Sequence, residues 1–386
     1  MKLNPNPKSS VLLSADRPET RLAFLVAGFG VACWAPLVPF VKQKLQVDDG
    51  TLGLLLLCLG VGSVAAMLLA GVINARHGSR PIILAGGFGL AVLLPLLAVV
   101  GSPVLMGLTL LGFGAALGSL DVAMNIHAVE VERAAAKPLM SGFHALFSVG
   151  GFIGATLITF LLSSNIAPIA STLLASVLMA IAMAHAAPRL LRSSHSDKSA
   201  PTVVAPHGIV LLLAALALVI FLVEAAILDW SALLVTGKGL VSEARGGLGY
   251  SIFAIAMTAG RFSGDSVSTR VGDRAILFWG GLVTIGGFAL VLLAPMAFLA
   301  MSGFLLIGLG ASNIVPVLFR GAGKQHTMPA GLAVAAITTA GYAGNLVGPA
   351  VIGFVAKAAG LPVAFWLLAA LVALVVFSAG AVTPRA

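Results

Sequence analysis

The chain has 386 residues, 59% of them hydrophobic and only 9% charged. A soluble domain carries about 25% charged residues, so a water-soluble globular architecture is excluded. The net charge of +9 is spread over short loops rather than gathered in a patch, a pattern that orients a membrane protein and offers no surface to nucleic acid.

Twelve apolar segments of membrane-crossing length follow one another. The first six run at about 21–42, 51–74, 81–100, 103–129, 139–163 and 166–187. The second six run at about 208–235, 246–268, 275–295, 298–319, 330–357 and 361–382. The sequence thus predicts an all-α polytopic membrane protein. It has a cytoplasmic tail (1–20), a six-helix bundle (21–187), a polar Pro- and Ser-containing linker (188–207) and a second six-helix bundle (208–386). The N-terminus lacks the continuous apolar core of a signal peptide. Of the 22 Lys and Arg residues, 17 fall on one side and five (Lys42, Lys44, Lys238, Arg245 and Lys357) on the other. By the positive-inside rule both termini and the linker are cytoplasmic, in a bacterial inner membrane. Cys33 and Cys58 both sit in apolar segments and read as buried thiols, with no disulfide framework and no CxxC pattern.

A short basic loop occurs twice, 194 residues apart. Arg76-x-Gly78-x-Arg80 joins spans 2 and 3, and Arg270-x-Gly272-x-Arg274 joins spans 8 and 9. Two six-helix halves, a central linker and this repeated loop resemble the major facilitator superfamily. The resemblance implies the major facilitator fold, twelve transmembrane helices in two pseudo-symmetric bundles with the substrate held between them. It also implies that these arginines and glycines gate the cytoplasmic side. The family's usual Asp before the first Arg is replaced by Ala75 in one copy and Thr269 in the other. The acidic gate partner in the first half is therefore expected from Glu132 or Glu130 at the inner end of span 4. In the second half, Arg261 and Asp265 are four residues apart, a spacing that permits a helical ion pair.

Three carboxylates lie deep in apolar spans: Asp121 in span 4, and Glu224 and Asp229 in span 7. Ionisable groups at that depth are costly and mark transport paths or proton relays. A structural hydrogen bond, or recognition of a cationic substrate or sodium, are the alternatives. Asp121 and Asn125 share a helix face at i, i+4. The stretch "LDVAMN" resembles the span 4 motif of the fucose and glucose/galactose permeases, where the acid couples proton to sugar. "KPLMSGFHALF" and "VEAAILDWSALLV" add a similarity to YbjJ-type bacterial permeases.

The proton-coupling candidates are accordingly Asp121, Glu224 and His144. The superfamily resemblance places spans 1, 4, 7 and 10 around the cavity. Trp34, Asn125, Asp229 and Asn313 are therefore substrate-binding candidates, joined by Tyr342 and Asn345 in span 11. Gly344-x-x-x-Gly348-Pro349 reads as a close-packing element. HExxH, GxSxG, P-loop and Cys/His ligand patterns are missing, so no enzyme activity, cofactor or metal is expected. The expected function is proton-coupled secondary transport of a small polar neutral solute, sugar- or polyol-like, by a monomer that alternates access across the bilayer. The alternatives are an exporter of amphipathic cations or drugs, and a non-transporting sensor on the same fold.

Overall fold

The computed structural model describes residues 18–135, 140–190, 207–328 and 330–383. These form fourteen α-helices and two short 3-10 turns, with no strand among the described residues. The helices are α1 (Pro18–Ala32), α2 (Val38–Leu45), α3 (Asp49–His77), α4 (Ser79–Val99), α5 (Pro103–Ala135), α6 (Met140–Ser163) and α7 (Pro168–Ala186). The second set comprises α8 (Ile209–Gly237), α9 (Leu248–Val271), α10 (Asp273–Leu293), α11 (Ala297–Ala311), α12 (Ile314–Lys324), α13 (Ala330–Ala359) and α14 (Leu361–Val382).

Two of the twelve expected spans are broken rather than continuous. Span 1 is α1 plus α2, interrupted by a 3-10 turn at Ala35–Leu37. Span 10 is α11 plus α12, interrupted at Ser312 and Asn313. The cause is local. Pro36, Pro39 and Pro316 each lack the N–H that would reach back four residues, and the ring crowds that carbonyl. Eleven of the spans are long and apolar enough to cross a membrane. The expected eighth span, α9, has the length but is less apolar, because it carries Arg261, Asp265 and Arg270 with several Ser and Thr residues.

Packing follows a two-fold pattern. In the first half α3 packs on α5, α1 on α6, and α4 on both α5 and α7. In the second half α9 packs on α11, α8 on α13, and α10 on both α11 and α14. Across the halves the pairs are α3 with α13 and α6 with α9, which exchange under the same two-fold. Small residues permit the approach. A Cβ on Gly28 would overlap the Phe147 carbonyl oxygen, and one on Gly344 would lie 2.6 Å from the Leu218 oxygen. The close-packing role read for Gly344 and Gly348 holds, since the Leu222 side chain fills the space above Gly348.

The repeated basic loops share one backbone geometry. Gly78 and Gly272 adopt φ of 77° and 82°, values that a side chain disfavours. Each loop glycine donates its N–H back to the preceding helix, Gly78 to the Asn74 oxygen and Gly272 to the Ser268 oxygen. The second arginines also correspond. Arg80 Nε donates to the Ala187 oxygen at 3.0 Å, past the end of α7, and the Arg274 guanidinium lies beside Gly380 near the end of α14. Both tie the loop to the last helix of their own half. The end that carries these loops is called the basic end below, and the opposite one the far end.

The expected linker (188–207) falls mostly on 191–206, outside the described residues. Both cysteines are free, Cys33 buried and Cys58 partly so.

Candidate functional site

The helices that meet between the halves carry most of the chain's deep polar groups. Tyr342 on α13 donates its hydroxyl to Asp121 Oδ2 on α5 at 2.7 Å, a bond from one half to the other. Asn125, one turn along α5, donates Nδ2 to Asp121 Oδ1 at 3.2 Å and to the Asp121 carbonyl at 2.8 Å. The i, i+4 spacing thus does what the sequence suggested, and the carboxylate is held from both sides. Hydrogen bonds to a charged group contribute about 1.5–3 kcal/mol each. Asn345 lies three residues beyond Tyr342 on α13 and is half-buried.

His144 on α6 is exposed toward the basic end. Its ring meets Phe24 edge-on, with centroids 5.2 Å apart, and stands within electrostatic range of both Asp121 and Arg261. It therefore feels both the acid of one half and the guanidinium of the other. His127, buried deeper on α5, is instead in hydrogen-bonding contact through Nδ1 with Thr20 Oγ1 at 3.2 Å.

Beside the expected Arg261–Asp265 helical pair stands a partner that the sequence did not suggest. Arg261 reaches across to α8, where it donates to Glu224 Oε1 at 3.1 Å and Oε2 at 3.4 Å. This interhelical contact joins α9 to α8 across 37 residues of chain. Glu224 is thus not a lone acid. The side chain of Asp265 lies outside the described residues, as do those of Arg76 and Glu132. Arg270 is exposed at the basic end.

Farther along α8, Asp229 is 7% exposed and abuts the fully buried indole of Trp34, at the break of span 1. No hydrogen bond of ordinary length closes between them, and Trp34 Nε1 has no partner. Tyr250 on α9 lies within electrostatic range of Glu224, Asp229 and Arg261 and packs over Gly151 of α6 in the other half. Asn313 does not present its Nδ2 group to the cavity as expected. That group donates to the Gly260 oxygen at 2.9 Å and to Ser312 Oγ at 3.0 Å, bracing the break of span 10 against α9.

The far end is sealed. Lys357 Nζ on α13 and Asp48 Oδ2 before α3 pair across the halves at 2.8 Å. Lys42 pairs with Asp49 beside them. Gly53 packs against Gly353, and Gly247 against Thr159 and Pro36. Asp48 also accepts from the Thr51 N–H at 2.7 Å. The Lys357 ammonium, aided by that bond, holds the Asp48 carboxyl well below the usual carboxylate range. Toward the basic end, by contrast, His144, Arg261, Phe262 and Ser263 are exposed.

Sequence reasoning missed three features. Lys44 Nζ caps the Ala98 and Val99 carbonyls at the end of α4, at 3.0 Å from Ala98 O. Lys238 Nζ caps the Val291 and Leu292 carbonyls at the end of α10, at 3.0 and 2.6 Å. The two lysines are 194 residues apart, the offset of the basic loops, so the repeat itself could have found them. The third feature is a brace at the basic end, where Arg320 donates to Asp273 Oδ1 at 2.7 Å and to Ser268 Oγ at 2.9 Å. Asp273 lies inside the second loop motif, which signalled it only as a variable position.

Comparison with known proteins accords with this architecture. The family model described as Major Facilitator Superfamily matches residues 22–327. An uncharacterized MFS-type transporter of Yersinia pestis is 48% identical over 369 residues, 96% of each chain. The membrane protein MosC of Rhizobium meliloti is 30% identical over 364 residues, 93% of this chain and 87% of that one. Among solved structures, a mutant of the nucleoside transporter NupG superposes with a TM-score of 0.75 at 14% identity, covering 95% of this chain and 98% of that one. A bacterial homolog of the human lysosomal transporter Spinster, inward-facing and occupied, gives 0.67 at 14% identity, covering 98% and 96%. The fold, the paired halves and the relatives agree: the chain belongs to the major facilitator superfamily and is a multi-pass membrane transporter.

Proposed function

We propose that the protein is a proton-coupled transporter of a small polar, neutral solute, working by alternating access as a monomer in a bacterial inner membrane. The basic end and both termini face the cytoplasm, and the residues of 188–207 link the halves. The observation that carries the reading is the Tyr342–Asp121 hydrogen bond, which ties the deepest acid of the first half to the second. Asp121 has hydrogen-bond donors around it, and the described residues give it no ion pair. An ion without a cation at that depth is costly, so a proton is the natural companion. Uptake of that proton weakens the acceptor that Tyr342 grips, which links charge to the position of the halves.

Glu224 with Arg261 forms a neutral pair beside the path, and His144 stands between that pair and Asp121 as the group able to relay a proton. Asn125, Asn345 and Tyr342 offer the neutral hydrogen-bonding groups a hydroxylated solute requires. The span 4 motif on α5 points further, to the fucose permease-like and YbjJ-type branch. A thermal-shift screen of purified protein against sugars, polyols, nucleosides, organic acids and cationic drugs tests the substrate class. Stabilisation by organic acids alone would overturn it.

An exporter of amphipathic cations is the second reading. It is favoured by three deep acids, Asp121, Glu224 and Asp229, of which the described residues pair Glu224 with a guanidinium, that of Arg261. Stabilisation by cationic drugs, with drug sensitivity of a deletion strain, would select it.

A further inference from the structure

The seam between the halves holds a second acid that the Asp121 site does not use. Asp229 is 7% exposed and Trp34, from the other half, is wholly buried against it. Two buried polar atoms of the first half lie along this seam without a hydrogen-bond partner: Trp34 Nε1 and Thr159 Oγ1. Thr159 faces Gly247 of the second half, which also touches Pro36 just beyond Trp34. Buried polar groups are nearly always satisfied. Orphans on a surface where the two halves touch are groups that find water when that surface parts.

Among the described residues Asp229 forms no ion pair. Tyr250 on α9 lies in electrostatic range of both Asp229 and Glu224, and Glu224 already holds Arg261. Lys238, at the far end of α8, is bound to helix-end carbonyls, and Arg245 in the next turn is exposed. The lysines of α2 are engaged elsewhere, Lys42 with Asp49 and Lys44 with helix-end carbonyls. Lys357 of α13 is paired with Asp48, and Lys324 of α12 with Asp273. A net negative charge sealed here is costly unless a proton accompanies it. Position supplies the other half of the argument. Asp229 lies about two turns from the far end of α8, whereas His144 and Arg261 open toward the basic end.

We propose that Asp229, positioned by Trp34, is a second proton-binding station reached from the far end only, while Asp121 exchanges its proton from the basic end. The proposal rests on the alternating-access reading above. When the far end opens, the indole leaves the carboxyl, water reaches it, and the proton is lost or gained there. When the seam closes, the acid is carried shut in its neutral form.

Infrared titration of the reconstituted protein between about pH 5 and pH 8 reads this without a known solute. The carbonyl stretch of protonated carboxylic acid is expected to titrate in the wild type, with one component lost in Asp229→Asn and a different one lost in Asp121→Asn. A band unchanged in Asp229→Asn overturns the station and leaves the Asp121 reading standing if Asp121→Asn diminishes it; a band diminished in Asp229→Asn alone overturns the Asp121 reading instead. Asp229→Glu, with the same charge, should restore a band if Asp229→Asn merely misfolds. Asp229→Cys, in a Cys33→Ala, Cys58→Ser background, should react with an impermeant thiosulfonate applied at the far end and not at the basic end. Equal labelling from both ends overturns one-sided access.

Discussion

Tyr342 and Asp121 lie 221 positions apart in the chain, yet the tyrosine hydroxyl donates to the carboxylate at 2.7 Å. No other hydrogen bond described above joins a mid-membrane carboxylate of one half to a side chain of the other. Asp121→Asn should abolish proton-driven accumulation while leaving solute exchange partly intact. Tyr342→Phe should weaken the coupling and shift its pH dependence, since the acid loses a donor that favours its charged form. Unchanged concentrative uptake in Asp121→Asn would sink the coupling role.

The Arg261–Glu224 pair is partly exposed, with side-chain accessibilities of 38% and 26%. Solvent screening limits such a pair to about 1 kcal/mol or less. Single neutralisations, Arg261→Gln or Glu224→Gln, should each lower thermal stability, and the double variant should recover part of the loss. Additive losses in that double-mutant cycle would show that the pair contributes nothing as a pair.

The seal at the far end should be insensitive to pH over the physiological range. The Asp48 carboxyl is held below its ordinary value by Lys357, so its contribution is complete above the usual carboxylate pKa. It is lost only as pH falls below that value through the folded-state one. Asp48→Asn should therefore raise labelling of cysteines placed along α3 and α13 at the far end equally at about pH 6 and pH 8. A wild-type seal that opens between those two pH values would contradict the assignment.

Gly28→Ala places a methyl group onto the Phe147 carbonyl oxygen where α1 crosses α6. Overpacking of this kind costs about 1–3 kcal/mol, so the melting temperature should drop. Gly286→Ala, where a Cβ would meet nothing within 4 Å, should be neutral or slightly stabilising on helix propensity. Equal melting temperatures for the two variants would refute the crossing.

Lys44 and Lys238 should act as matched helix-end caps. Replacing either with Met keeps the stem and removes the donors, so the carbonyls at the end of α4 or α10 lose their partner. Hydrogen exchange at the last turn of the affected helix should rise, and the other half should stay protected. Exchange rising in both halves, or in neither, would contradict local capping.

Much of this was legible in residue order because apolar length and loop charge are local properties. The span limits of α3, α4, α6 to α10, and α13 and α14 agree with expectation to within about three residues, the ordinary scatter of helix ends. The breaks at Pro36 and Ser312–Asn313 were not foreseen, although the prolines that cause them were in view. Asp121 with Asn125 was readable because one helical turn joins them. The contact of Arg261 with Glu224 was hidden for the converse reason, since 37 residues of chain separate the two. The brace made by Asn313 was not legible, since nothing in its own helix signals that Gly260 would take its amide.

By itself the sequence determined the membrane class, the twelve spans and the duplication, because hydrophobic length, charge placement and a 194-residue repeat need no knowledge of contacts. Only the tertiary structure decided which acid meets Tyr342, which meets Arg261 and which is shut against Trp34. Those choices depend on how two bundles rotate against each other, and helices from different halves carry no sequence periodicity in common that would record it.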